Sequence, residues 1–140
     1  MRNRRKAREL AMQALFYIDM SQNDSKEAIK LFYENFVTSK RNLSFFFELI
    51  NGVIKALPEI DSVIERFSSN WKISRMSIVD RNIMRLAVYE MLFCDDIPSK
   101  VSINEAIDIG KKFSAEESGA FINGILDSIR IALEEGKISA

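Results

Sequence analysis

The chain has 140 residues, with 20 Lys plus Arg against 20 Asp plus Glu, 47% hydrophobic residues, no His and one Cys. A chain of this size and balance builds one core and buries roughly 68% of the surface its unfolded form exposes, so no disulfide or structural metal is required. Lacking His, it has no usual general base at neutral pH, no Ser-His-Asp or Cys-His arrangement and no His-ligated zinc, so neither an enzyme nor a metal or other cofactor is expected. The lone Cys94 reads as a small buried hydrophobe, and a free thiol suits a reducing cytoplasm.

The opening Arg2, Arg4, Arg5, Lys6 and Arg8 before Leu10 to Ile18 has the outline of a secretion signal. Glu9, Gln13 and Asp19 interrupt the apolar stretch, however, and no small-residue cleavage site follows. No run approaches the roughly 18 apolar residues of a membrane span, so no membrane partner is expected.

Few glycines and prolines punctuate the sequence and β-branched residues never alternate with polar ones, so the reading is all-α with seven helices. The first runs from about Asn3 to Met20, with Ala7, Leu10, Ala11, Ala14, Leu15 and Ile18 on one face. The second starts near Ser25 and carries Ile29, Phe32 and Phe36; the third, Ser44 to Ala56, presents Phe46, Leu49, Ile50 and Val53. Pro58 suits the first turn of a fourth, in which Ile60, Val63, Ile64 and Phe67 recur at helical spacing. Ser68, Ser69 and Asn70 then break the pattern ahead of Trp71, which reads as a core plug. Three capping boxes, Ser77 with Asp80, Ser102 with Glu105 and Ser114 with Glu117, predict helices from about Ile78 to Phe93, Ile103 to Phe113 and Ala115 to Leu133, the last stopping near Gly136. Glu105 is also placed to pair with an arginine such as Arg85, and Asn123-Gly124 inside the last helix marks close helix packing. No linker divides the chain, so residues 1–140 read as one domain with a basic arm at 1–8.

That arm concentrates five positive charges and no negative one, while the rest of the chain holds 15 basic and all 20 acidic side chains. Cations at a helix N-terminus oppose its macrodipole, so Arg4, Arg5, Lys6 and Arg8 point to an anionic partner. On a helical wheel Arg5, Lys6, Glu9, Met12, Gln13 and Phe16 fall opposite the apolar face. Cations for phosphates, a ring for an unpaired base and an amide for a base edge are the ingredients of a single-stranded RNA platform. A solvated tail with Phe16 packed under a neighbouring helix accounts for the same residues, as does an arm that docks an acidic protein. A membrane-surface helix is disfavoured, because the apolar face is rich in alanine. Gly110-Lys111-Lys112 is no phosphate loop, since the upstream Gly is absent and position 105 is Glu.

The runs Arg4-Arg5-Lys6-Ala7-Arg8-Glu9, Gln13-Ala14-Leu15-Phe16, Asp80 to Leu92, Asp96-Ile97-Pro98, Ile103-Asn104-Glu105-Ala106-Ile107 and Phe121 to Asp127, in this order, resemble the NusB family of bacterial transcription antitermination factors. The resemblance implies an all-helical fold of two packed three-helix bundles. It further implies pairing with the small ribosomal protein NusE, recognition of the single-stranded boxA element of nascent ribosomal RNA, and assembly of an antitermination complex on RNA polymerase. Arg5 and Arg8 match the family's arginine-rich RNA contacts, and Glu117 and Phe121 match positions near the same face. Phe16 stands where many members have Tyr and keeps the ring without the hydroxyl; Asp80 stands where others have the longer Glu. The expected RNA-binding set is therefore Arg4, Arg5, Lys6, Arg8, Gln13, Phe16, Asp80, Glu117 and Phe121, with no catalytic residue. A homodimeric helical protein-interaction adaptor without RNA specificity, and a stand-alone RNA-binding domain related to those of ribosomal RNA cytosine methyltransferases, stay open as alternatives, as does a homodimer of the free protein.

Overall fold

The computed structural model describes residues 2–37, 43–69 and 71–139. Asn70 and the side chain of Arg2, both named above, lie outside the described residues. The elements are α1 (Arg2–Met20), α2 (Ser25–Phe36), α3 (Ser44–Lys55), α4 (Leu57–Arg66), a 3₁₀ turn (Ile73–Arg75), α5 (Ile78–Phe93), α6 (Ser99–Phe113) and α7 (Ser118–Glu134), with no strand among the described residues. Helices α1 to α3 pack as one group of three and α5 to α7 as another, while α4 lies mainly against α5. The expected all-α architecture of two sub-bundles is what the chain adopts.

Helix α5 holds the two groups together. Its buried residues run almost continuously from Asn82 to Val88, so they lie all around the helix, as a central helix requires. One of them, Arg85, is charged and joins elements distant in sequence. Arg85 donates to Asp61 of α4 at 2.8 Å through both Nε and Nη2, and through Nη1 to Asp19 of α1 at 3.2 Å. Asp19 also accepts from Arg81 and Asn82, both at 3.0 Å. The expected partner of Arg85 is thus corrected: Asp61 and Asp19 lie beside it, and Glu105 pairs elsewhere.

Only one of the three serine boxes caps a helix. Ser77 Oγ accepts from the Asp80 N–H at 3.0 Å, yet the Asp80 carboxylate turns inward instead of reaching back. Helix α6 starts earlier than expected, directly after Pro98, which places Ser102 inside the helix, where its hydroxyl donates to buried Glu90 at 2.8 Å. Helix α7 starts later than expected, at Ser118, because the Ser114 hydroxyl is taken by Asp80 at 2.6 Å. A buried carboxylate must find donors, and that demand outweighs a cap worth about 1 kcal/mol. The predicted stop near Gly136 holds. Gly136 takes φ +71, its N–H donates to Leu133 O at 3.1 Å, and the Lys137 N–H reaches Ala132 O at 2.9 Å, a Schellman ending.

Three side-chain placements differ from expectation. Met12, expected on the outer face of α1, is buried, because α1 packs on α2, α3 and α5 and so has a wide apolar face. Trp71 is half exposed and meets Phe121 edge-on at 6.0 Å, so it plugs no core. Gly124 has nothing within 4 Å of where a Cβ would stand; the close approach is at Gly52, whose Cβ would fall 2.2 Å from the Tyr89 ring.

Candidate nucleic-acid interface

The basic end of α1 runs along an acidic ledge formed by α6 and the end of α5. Arg8 points inward and is 5% exposed. Its Nε and Nη2 donate to Glu90 at 2.7 and 2.9 Å, and its Nη1 reaches Glu105 at 3.3 Å. Glu90 also accepts from Ser102, so every charge in this interior has a partner. Arg8, expected among the RNA contacts, is buried in this structure, with its donors holding α1 to α5 and α6.

Arg5 is exposed, donating from Nε to Glu105 at 3.1 Å and from Nη2 to both Glu105 and Asp108, the latter at 2.8 Å. The Arg5 hydrogen bond is the largest influence holding the Glu105 carboxyl below the usual carboxylate range, and Glu105 in turn raises the Arg5 guanidinium above its ordinary value. Arg4 reaches Asp96 at 3.4 Å and lies over the Phe45 ring at 5.0 Å. Lys6 is exposed with no ion pair among the described residues. Arg4, Arg5 and Arg8 of the arm are therefore each tied to acidic side chains of their own chain.

Further along α1, Glu9 accepts from Lys112 of α6 at 3.0 Å, which brings a cation onto the face that carries Gln13 and Phe16. Gln13 is half-buried, and the Phe16 ring is 37% exposed without a ring partner among the described residues. These positions agree with the wheel, Met12 excepted.

The α5 and α7 positions come together at a second place. Asp80, Glu117 and Phe121 line one open cavity of about 370 Å³ with Trp71, Arg75 and Ser118. Asp80 itself is 8% exposed and accepts from Ser114 at 2.6 Å and Ser118 at 3.0 Å. Asp80, expected among the RNA contacts, thus holds the two serines that flank the turn at 115–117. Glu117 is exposed at the head of α7 and makes no side-chain cap. Trp71, Arg75 and Lys112 escaped the sequence reading. Trp71 reads from sequence as a core residue, Arg75 sits in an irregular segment with no periodicity, and the sequence around Lys112 offers only an incomplete phosphate loop.

Among the described residues no group of acidic or thiol side chains is arranged to hold a metal ion, and no helix is long and apolar enough to cross a membrane. Cys94 is buried near Glu48, and burial is the main cause that pushes its thiol up to about 12.

Comparison with known proteins covers nearly the whole chain. The NusB family model matches residues 5–130. The transcription antitermination protein NusB of Desulfatibacillum aliphaticivorans is 59% identical over 133 residues, which cover 95% of this chain and 93% of that protein. Among solved structures, NusB of T. maritima is 36% identical with a TM-score of 0.83, covering 96% of this chain and 97% of that one. A structure of the antitermination factors NusB and NusE in complex with dsRNA is 30% identical with a TM-score of 0.81, covering 94% of this chain and 98% of that one.

Proposed function

This chain belongs to the NusB family, and we propose that it works as a non-enzymatic adaptor that binds RNA and protein. With a NusE-like ribosomal protein it holds the boxA element of nascent ribosomal RNA and helps assemble the antitermination complex on RNA polymerase in the cytoplasm, as one domain over residues 1–140. The observation that carries this reading is the fold match over 94% of the chain to a NusB solved with NusE and dsRNA.

The interface geometry supports a division of labour. On α1, Arg4, Arg5 and Lys6 take phosphates while Gln13 and Phe16 take a base edge and a base face. Lys112 adds a cation to that face. At the far end Phe121, with Trp71 and Arg75, offers a second aromatic and cationic surface, and Glu117 sets a negative charge at its rim. Arg8 and Asp80 act through position, the first by fixing α1 and the second by fixing the 115–117 turn.

Fluorescence anisotropy tests the reading with boxA-like, scrambled and duplex RNA, each with and without the NusE-like protein. The expected result is modest binding by the chain alone, and higher affinity with preference for the boxA-like single strand once the partner is added. Equal binding to all three RNAs in the presence of the partner would overturn it.

A further inference from the structure

We infer, resting on the reading that the arm binds RNA, that Asp108 occupies on Arg5 the place of an RNA phosphate, so that RNA binds by exchanging phosphate for carboxylate. The two acids on Arg5 differ in kind. Glu105 grips the guanidinium through both oxygens, has a side chain only 14% exposed, and also receives Arg8, which ties it into the buried network. Asp108 stands one turn along α6, reaches Nη2 alone at 2.8 Å, has a side chain 48% exposed, and makes no other ion pair among the described residues. One carboxylate is thus a fixed support and the other a displaceable occupant.

The chemistry of exchange fits. A guanidinium presents a planar fork that suits carboxylate and phosphate oxygens alike. With Glu105 holding both Nε and one side of Nη2, the guanidinium stays aimed at the place of Asp108 when Asp108 swings away. Flanked by two acids, Arg5 carries a local net charge of −1, so an incoming phosphate is attracted first by neighbouring Lys6. The contact holds the arm in its RNA-ready shape while lowering its attraction for anions at large. Asp108 is therefore an affinity-setting residue, and its own geometry is that of a built-in competitor.

The test is RNA binding at several salt concentrations by the full chain, Asp108→Asn, Arg5→Ala and the double variant, with circular dichroism as a check of folding. Asp108→Asn should bind about 1.5- to 5-fold more tightly at low salt, the range of an exposed ion pair. Its slope of log affinity against log salt should steepen by up to about 0.7, because no carboxylate is left to take up a counterion on release. In the Arg5→Ala background the same substitution should change binding by less than about 1.5-fold. Unchanged affinity in Asp108→Asn, or an equal gain with and without Arg5, would overturn the exchange while leaving the RNA-binding reading intact. A chain that binds no RNA even with the NusE-like protein overturns both.

Discussion

Phe16 illustrates how far one side chain departs from its neighbours. The residues before it, Ala14 and Leu15, are buried, whereas Phe16 leaves 37% of its surface in solvent on the face shared with Gln13. A ring in that position contributes little to folding and is available to stack. Replacing it with alanine should therefore weaken RNA binding by about 1–3 kcal/mol. Stability should change by much less than the roughly 3–5 kcal/mol lost with a buried Phe. Anisotropy and urea unfolding on the same variant separate the two effects. A large stability loss would show that the ring belongs to the core.

At the scale of helices, buried charge decides where elements begin and how they sit. Glu90 in α5 takes Arg8 from α1 and Ser102 from α6, and so fixes three helices at one point. Glu90→Ala should lower stability by about 3–5 kcal/mol, because it leaves the Arg8 guanidinium largely unpaired in the interior. Urea unfolding checks this, and raised salt should do little to the difference, since a buried pair is poorly screened. The same network explains what the sequence concealed. Helical periodicity identified seven helices and their core faces, and Gly136 marked the last stop, because those signals are local. Ser102 and Ser114 looked like caps for an equally local reason, but their hydroxyls answer to Glu90 and Asp80, residues 12 and 34 positions away. Arg8 looked like one cation among several, and only tertiary packing separates it from Arg5. On the outer face of α1, the exposure of Phe16 is legible from a helical wheel. The positions of Trp71 and Arg75 are not, because they reach the Phe121 cavity through the irregular connection between α4 and α5.

For the molecule as a whole, stability should fall at both ends of the pH scale for separate reasons. Glu105 is held below its ordinary value of 4.5, first by the Arg5 hydrogen bond, so its contribution is fully present above that pH and is lost as pH falls through the lower folded value. Cys94 acts in the opposite direction. Above its ordinary value of 9.0 the unfolded thiol gives up a proton that the folded one keeps up to about 12, so stability declines as pH rises through that window. Urea midpoints measured from pH 3 to 11 should show both limbs. Cys94→Ala should flatten the alkaline limb and leave the acid limb in place.

Arg85 reaches from α5 across to Asp61 of α4 and Asp19 of α1, and this bears on cutting the chain in two. Severed in the connection between α4 and α5, the amino-terminal piece would keep Asp19, Asp61 and Arg8 while the carboxy-terminal piece would keep Arg85 and Glu90. Each half would then hold interior charges whose counterparts lie on the other. Neither piece should fold alone, and mixing the two should restore helical circular dichroism with a one-to-one stoichiometry. Independent folding of either half would mean that the sub-bundles are separable modules. Complementation instead makes the halves obligate partners, with a few buried guanidinium and carboxylate groups serving as the address by which one recognises the other.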